Sequence, residues 1–337
     1  MKDSFKVILP LKLLAILALL GSGQRAYAQN SAPIAVADDY LVGYNLTRTI
    51  NATNGLLSND NDLDGNASMS VSTTPIVDVG SGNLILNTDG SFAYTPNTNF
   101  FGTDTFTYKV CDNGTPSELI SRFDFDTAIL TDATVGPDAM SINPNAVPIE
   151  CGVHIPSGST GGNVGLDLVI PNTGGIFNFT SFEVAFEYRD QESQARLIDA
   201  GNFSLYHIRA NDLGMSLTVI NGATGLQQTY TLDFSRFLSG NNPYSVIYNE
   251  ITGEVTYDAN GTVTTYAVAP PFSPLDASLA TAITVGDQMD NSGRNFASFC
   301  SVLIHDRSVL CDTATVTLTV KASVITNRRI TYRVRKN

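Results

Sequence analysis

The chain has 337 residues and a formal net charge of −13, with 32 acidic against 19 basic residues. A surface this acidic repels the phosphates of DNA and RNA, which argues against nucleic-acid binding. The length suggests about two domains of ordinary size, and abundant Gly, Thr, Asn and Asp favour short strands joined by tight turns.

Residues 1–28 have the features of a secretory signal peptide. A positively charged start precedes a nearly apolar stretch at 7–20, and the small-residue pattern AYA at 26–28 marks a cleavage site. A transmembrane anchor is the alternative, but the apolar stretch is shorter than the roughly 20 residues that span a bilayer. No later segment has enough apolar residues to span one. We therefore expect an exported protein, beginning at Gln29, that works extracellularly or at a bacterial cell surface.

Residues 32–117 have the pattern of a small β-sandwich. Two β-type runs at 84–86 and 91–94 flank the sequence NTDG, and an Asp-Gly pair in this position predicts a hairpin with a primed turn. Residues 105–110 alternate between apolar and polar side chains, which predicts a half-buried strand. No sustained helical period is present in this segment.

Four motifs of this segment resemble a known family. They are APIAVADDY at 32–40, LLSNDND at 56–62, NTDGSFAYTP at 87–96 and FGTDTFTY at 101–108. The series is similar to the bacterial cadherin-like, Ig-type tandem repeat of large adhesins. The resemblance implies an Ig-type sandwich that serves as a stalk or spacer.

Repeats of this family end in a strand with a TVTV pattern, and that strand is missing after residue 117. It appears instead at 310–320 as LCDTATVTLTV. The resemblance therefore implies one sandwich built from 32–117 plus 310–320, with residues 118–309 inserted as a second domain in its last hairpin. Exposed loop tips tolerate such insertions. Two unrelated tandem domains are the alternative, but a lone strand after Val309 would then have no sheet to join.

The inserted segment is also β-patterned and resembles a laminin-G or concanavalin-A-like jelly roll. The motifs are FDFD at 123–126, FEVAFEY at 182–188, YNEITGEVTYDANG at 248–261 and FCSVLIHDR at 299–307. Residues 130–175 and 262–295 fit this pattern poorly and are expected to be loops. The predicted fold class is thus all-β, an Ig/cadherin-like sandwich with a jelly-roll domain inserted in its last hairpin.

Four cysteines, an even number in an exported chain, indicate disulfides rather than a zinc site, since no CxxC spacing occurs. Three pairings are possible from the sequence. The cadherin-like resemblance implies Cys111–Cys311 as a staple where the strands leave the sandwich. The jelly-roll resemblance implies Cys151–Cys300, because the first and last strands of that fold lie side by side.

The acidic run at 60–65 is a candidate calcium loop. Asp60, Asp62 and Asp64 at alternating positions before a glycine supply hard oxygen ligands, as in the first half of an EF-type loop. The loop lacks a Glu at the twelfth position and flanking helices. The cadherin-like resemblance suggests that Asp38 or Asp39 completes the set. A solvated acidic turn is the alternative.

The positions of its carboxylates indicate whether the insert could be catalytic, since glycoside hydrolysis uses two carboxylates across the sugar bond. The nearest cluster is Glu187, Asp190 and Glu192, and an extended strand places Glu187 and Asp190 on opposite faces. The chain has no Trp to stack on a sugar. Three tyrosines are substitutes that fit a core position equally well: Tyr206, Tyr244 and Tyr266.

Residues 321–337 contain six basic residues and no acidic one, in the pattern of an amphipathic strand. This basic tail is expected to bind an acidic partner, an anionic polysaccharide or the protein's own surface, or to link to a further module.

The sequence as a whole predicts a secreted or surface-bound, non-enzymatic adhesion or recognition module, with calcium as its candidate stabilising ion. The jelly-roll insert would bind an extracellular glycan or protein. A jelly-roll glycoside hydrolase and a purely structural surface-layer component are the alternatives.

Overall fold

The computed structural model describes residues 30–65, 69–154, 165–190, 196–209, 212–222, 224–235, 240–268, 273–279, 281–288 and 298–322. These residues form an all-β protein, which confirms the predicted fold class. The expected signal peptide and nearly all of the basic tail lie outside the described residues. No helix within the described ranges is long and apolar enough to cross a membrane.

In the described ranges the strands before residue 112 are β1 (Asp38–Gly43), β2 (Arg48–Ile50), β3 (Ser70–Val71), β4 (Gly82–Leu86), β5 (Phe92–Pro96) and β6 (Gly102–Cys111). The next are β7 (Glu118–Phe123), β8 (Val147–Pro148), β9 (Val153–His154), β10 (Leu168–Pro171), β11 (Phe182–Asp190), β12 (Arg196–Asp199) and β13 (Phe203–Arg209). They are followed by β14 (Asp212–Ile220), β15 (Gln227–Ser235), β16 (Gly240–Asn249), β17 (Glu254–Ala259), β18 (Thr262–Ala267), β19 (Ala282–Gln288), β20 (Ser298–Asp306) and β21 (Cys311–Lys321). Single 3-10 turns occur at Ala52–Asn54, Leu56–Ser58, Thr173–Gly175 and Ala277–Leu279.

The small sandwich packs a four-stranded sheet, β1-β21-β6-β3, against a three-stranded sheet, β2-β5-β4. Strand β21 pairs antiparallel with β6 along its length and parallel with β1 on its other side. Buried Phe106 and Tyr108 of β6 share the core with Val316 and Leu318 of β21. The strand at the far end of the chain therefore completes the sheet begun before residue 112.

The predicted hairpin is present as β4 and β5, but its turn differs from the expectation. Asn87 and Ser91 are joined by a backbone hydrogen bond of 3.0 Å, and Gly90 N–H donates to the Asn87 carbonyl at 3.1 Å. In this turn Gly90 alone has a positive φ, of 78°. A type I′ turn needs two positive φ values and a type II′ turn needs one at its first central residue, so this is a three-residue turn ending in a left-handed glycine.

The large sandwich packs a six-stranded sheet, β10-β19-β12-β13-β14-β15, against a second sheet ordered β18-β17-β16-β11-β20-β9-β8, in which β7 also pairs with β20. Its core is separate from the first and is rich in aromatic rings. Phe182, Val184, Phe186 and Tyr188 of β11 point into it, as their alternation predicts. Residues 262–295, expected to be loops, contain β18 and β19, and residues 130–175 contain β8 to β10, so that expectation is wrong at these positions.

The chain leaves the small sandwich and returns to it at one point. Cys111 is bonded to Cys311, with Cα atoms 4.1 Å apart, which is the pairing that the cadherin-like resemblance implies. Next to it, one carboxylate oxygen of buried Asp112 accepts backbone hydrogen bonds from Gly114 (2.9 Å) and Leu310 (3.0 Å). The outgoing and returning segments are thus held together by one side chain and one disulfide.

Candidate functional site

A cleft of about 570 Å³ lies at one end of the larger sheet of the large sandwich. It is lined by Ile149, Glu150, Cys151, His154, Arg189, Asn241 and Ser298. Most of these side chains have groups that can donate or accept hydrogen bonds. The cleft is within the size range of small-molecule sites, about 300–1,000 Å³.

The floor of the cleft is a row of register partners on four neighbouring strands. Asn241 of β16 lies opposite Arg189 of β11, which lies opposite Ser298 of β20, and Ser298 lies opposite His154 of β9. Directly paired residues point to the same face of a sheet. Since Tyr188, the residue before Arg189, is buried in the core, the row points outward.

The wall of the cleft is the turn between β8 and β9. Gly152 in this turn has a φ of 85°, and a Cβ there would lie 1.8 Å from the carbonyl oxygen of Phe299. Only glycine fits this approach of the turn to β20. Cys151 is bonded to Cys300 of β20, which ties the turn down. The jelly-roll resemblance implies this pairing, although Cys151 lies beside β9 rather than on the first strand of the insert.

Two polar atoms at the floor have no hydrogen-bond partner among the described residues: Ser298 Oγ and His154 Nδ1. Ser298 is only 2% exposed. Burying an unpaired hydroxyl costs about 1–3 kcal/mol, so a ligand group that bonds to it recovers this free energy. Burial lowers the pKa of His154, which keeps the imidazole neutral and able both to donate and to accept a hydrogen bond.

The acidic cluster weighed as a catalytic site is not assembled in the described residues. Glu187 lies on the same outward face as Arg189, with its carboxylate within 4.8 Å of the Cys151 and Cys300 sulfur atoms. Glu192 lies outside the described residues, and Asp190 is described only as the last residue of β11. Among the described residues that line the cleft, Glu150 supplies the one carboxylate.

The three candidate stacking tyrosines lie away from the cleft lining. Tyr244 is in the core, with its ring 5.4 Å from that of Phe186. Tyr266 packs on Phe234 at 5.0 Å. Tyr206 is half-buried on β13, and burial raises the pKa of its hydroxyl. The prediction of a tyrosine platform for a sugar is therefore not supported at Tyr244, whose ring is enclosed.

None of the floor residues was predicted from the sequence to belong to a site. Arg189 precedes Asp190 and Asn241 precedes Asn242, so in the sequence each belongs to an ordinary polar strand end. Their convergence depends on the register of β11, β16 and β20, which local sequence patterns do not contain. The sequence feature that could have indicated the floor residues is a polar residue at an outward position near the end of each strand.

The small sandwich has a second cluster, which we call the acidic end: Asp38, Asp60, Asp62, Asp112 and Asp312. Burial, followed by the nearby charge of Asp60, raises the pKa of Asp38 to about 7. Burial also raises the pKa of Asp60 and of Asp112, with smaller contributions from Asp312 and Asp62 respectively. The acidic end therefore holds several carboxyl groups in buried positions, where losing a proton costs free energy.

The three predicted calcium ligands have different surroundings. Asp60 is buried and accepts hydrogen bonds from the Tyr108 hydroxyl (2.9 Å) and a backbone N–H (2.7 Å). Asp62 is buried and accepts from the backbone of Asp64 at 2.9 Å. Asp64 is exposed and accepts from the backbone of Ser31 at 2.5 Å.

These three carboxylates do not converge in the structure. In the described part of the chain, the group of three acidic, His or Cys side chains with ligand atoms within 4.8 Å of one another is Cys151, Glu187 and Cys300. Both cysteines of that group are in the disulfide, so it is not a metal site. A calcium site at the acidic end stays a prediction.

Part of the chain matches a known family. Residues 30–121 match the family model of the bacterial cadherin-like domain. The match covers the small sandwich up to the start of β7 and leaves out β21. A comparison with curated proteins gives no match.

Several solved structures resemble the chain. The CBM40 module of the Ruminococcus gnavus IT-sialidase bound to α2,3-sialyllactose is 18% identical, with a TM-score of 0.33, over 47% of this chain and 92% of that one. The CBM2 module of the evolved Dit of Lactobacillus casei BL23 phage J-1 is 12% identical, with a TM-score of 0.34, over 56% and 96%. Trypanosoma rangeli sialidase is 11% identical, with a TM-score of 0.38, over 56% and 30%. Carbohydrate-binding modules and a sialidase are thus among the solved structures similar to this chain.

Proposed function

We propose that this protein is an exported recognition module that binds an extracellular glycan in the cleft of the large sandwich without turning it over. The observation that carries the proposal is the outward row of polar side chains at the cleft floor, with Ser298 Oγ buried and without a hydrogen-bond partner among the described residues. Such a group favours a ligand rich in hydroxyls, which both donate and accept.

A small polar ligand fits the cleft better than a folded protein partner. Stable protein interfaces bury about 800 Å² per partner over a broad surface, whereas this site is a concave space of about 570 Å³. Arg189 and Glu150 add charged groups, and Asn241 adds an amide. Planar groups of this kind bond adjacent sugar hydroxyls, so we expect one or two sugar rings to occupy the cleft.

Turnover would need a second carboxylate across the sugar bond from Glu150, about 5–9 Å away. Glu187 lies on the same outward face beside Cys151, but it is not among the described lining residues. A jelly-roll glycoside hydrolase is the competing function, and it predicts release of reducing sugar. A purely structural role in a surface layer predicts neither binding nor release.

Export is supported by the two disulfides, since these bonds persist in oxidising surroundings outside the cytosol. The signal-like sequence at residues 1–28 agrees with this. We propose that the small sandwich is the spacer that carries the large one away from the cell, and that adhesion is the purpose of binding.

We also propose that calcium stabilises the acidic end, held by Asp60, Asp62 and Asp64 with Asp38 beside them. The support is the burial of Asp38, Asp60 and Asp62 at one end of the sandwich, where burial and then the charge of Asp60 raise the pKa of Asp38 to about 7. A divalent cation offsets the cost of ionising these buried groups, and hard carboxylate oxygens are the ligands that calcium prefers. Asp64 would have to release its hydrogen bond to Ser31 to join the set.

The test is a screen of the purified protein on a glycan array, followed by calorimetry with the best glycan and Ser298→Ala. The hydroxyl makes no protein hydrogen bond among the described residues, so its removal leaves the melting temperature unchanged or raised. Its loss should weaken glycan binding about three- to tenfold, because one hydrogen bond contributes about 0.5–1.5 kcal/mol. Ser301→Ala, on the same strand but outside the cleft lining, is the matched control and should bind normally.

Three results would contradict the proposal. No binding across the array rejects a glycan ligand and favours the structural role. Equal binding by wild type and Ser298→Ala places the ligand elsewhere. Release of reducing sugar from a bound glycan favours the hydrolase.

A further inference from the structure

The two sides of the large sandwich differ in whether the outer edges of their last strands are paired. On one side, residues 124–146 cover both edges. Arg122 of β7 exchanges backbone hydrogen bonds with Thr134 and Val135, at 2.8 and 3.0 Å. Val169 of β10 exchanges them with Met140 and Ser141, at 2.8 and 3.0 Å. At least one residue of each of these edge strands is therefore paired within the molecule.

On the opposite side, β15 and β18 are the last strands of their sheets, and no described residue pairs with their outer edges. The two edges lie next to each other, since the rings of Phe234 on β15 and Tyr266 on β18 are 5.0 Å apart. This side of the sandwich therefore presents two neighbouring rows of backbone donors and acceptors.

The residues of these edges lack the features that usually prevent pairing. Proteins protect open edges with lysines, prolines, bulges or very short strands. Strand β18, with the sequence TVTTYA, is uncharged and exposed along most of its length, and Val263 is 60% exposed. Strand β15 has nine residues and one charge, at Asp233.

The core is also incompletely covered at this side. Tyr230 and Leu232 of β15 and Tyr266 of β18 pack against the core but remain half-exposed. Open hydrogen-bonding edges and half-covered apolar side chains at one place are typical of a surface that is buried in an assembly.

We propose that this side is a self-association surface, where β18 pairs antiparallel with β18 of a second copy of the chain and β15 lies beside its own counterpart. A two-fold axis perpendicular to the sheets reverses strand direction, so both edges meet their copies as antiparallel neighbours. Both sheets then continue from one copy into the other.

Charge favours a second copy as the partner. With a net charge of −13, most contacts between copies of this chain are repulsive. Because β18 is uncharged, two copies can meet along it without like charges facing each other. Threonine and valine on both partners also form favourable cross-strand pairs.

The size of the contact limits its strength. Strand β18 has six residues and spans about 20 Å. The contact along two strand edges is smaller than the roughly 800 Å² per partner of stable interfaces. We therefore expect a reversible dimer that forms with rising protein concentration rather than a permanent one.

Sedimentation velocity on the whole protein, from low micromolar to several hundred micromolar, tests this. The expected result is a concentration-dependent dimer. Replacing Thr264→Lys and Thr265→Lys together should abolish it, since a two-fold pairing sets equal charges against each other. Asn83→Lys with Ile85→Lys is the matched control, because it adds the same charge to exposed positions on β4, an edge strand of the small sandwich, and should leave dimerisation intact.

Hydrogen exchange of the wild type gives a readout without substitution. Amides of 262–267 should exchange several-fold more slowly at high than at low concentration, while those of β4 should not change. A monomer at every concentration, a dimer that survives both lysines on β18, or protection elsewhere than β15 and β18 would overturn the proposal.

Discussion

At the acidic end, neighbouring aspartates have different hydrogen-bond partners. Asp60 holds the Tyr108 hydroxyl and a backbone N–H, so it fixes the loop to the core. Asp112 holds the backbone where the insert leaves and returns. Asp62 bonds the turn backbone of Asp64 at 2.9 Å. Of these three side chains, Asp62 is the one whose replacement removes a proposed calcium ligand with least damage to the fold.

We therefore expect calcium to raise the melting temperature of the wild type by several degrees over chelator, and Asp62→Ala to abolish the rise. Calcium at about 100 times its Kd adds about 2.7 kcal/mol to the free energy of unfolding. Differential scanning fluorimetry measures this, and Asp126→Ala, an exposed carboxylate of the other sandwich, should keep the full response. An equal melting temperature in calcium and chelator reduces Asp60, Asp62 and Asp64 to a structural acidic turn.

The alternating aspartates are visible in the sequence, but the direction of each side chain is not. Alternating aspartates point to one side only in an extended chain, whereas Gly65 N–H bonds the Asp62 carbonyl at 3.3 Å and closes a turn. Asp60 consequently points inward and Asp64 outward. The inward position of Asp60 depends on Tyr108, 48 residues away, which no local pattern reveals.

At the scale of elements, strand β11 was predictable from the sequence and strand β18 was not. Strand β11 alternates because one side of it meets the core. Strand β18 is exposed along nearly its whole length, so its sequence carries no alternation and was taken for a loop. The cleft could not be predicted from the sequence, because it forms only where the ends of β9, β11, β16 and β20 lie side by side.

The turn between β8 and β9 is the element whose position defines the cleft, and the Cys151–Cys300 bond holds it. Replacing both cysteines by alanine should weaken glycan binding by about tenfold or more, because the wall residues Ile149 and Glu150 lose their fixed position. The free energy of unfolding should also fall by about 2–4 kcal/mol.

The other disulfide supplies the control. Replacing Cys111 and Cys311 by alanine should cost similar stability but leave glycan affinity unchanged at a temperature well below unfolding, because neither residue lines the cleft. Calorimetry and thermal melts on both double variants separate the two effects. Equal loss of affinity in both would mean that the disulfides act through overall stability and not through the wall.

At the scale of the molecule, the chain nests one sandwich within the last hairpin of another. The two hydrophobic cores share no residue, and β21 finds β6 across a sequence separation of 200 residues between their bridged cysteines. The bounds 32–117 plus 310–320 and 118–309 remain a prediction from the sequence. The motif that reappears at residue 310 was enough to suggest the nesting, because β21 has no other sheet to join.

Deleting residues 118–309 should therefore leave a folded sandwich with Cys111 and Cys311 bridged. The deletion removes contacts that the retained residues make with the insert, including the hydrogen bond between Ser117 Oγ and His305 Nδ1 at 3.1 Å. It also shortens the loop that β21 must close, which favours folding by about 0.6 kcal/mol for each halving of length. Far-UV circular dichroism, a cooperative melt and thiol titration report the result. A product with free thiols and no cooperative melt would mean that the small core depends on the insert, and that the two sandwiches fold as one unit.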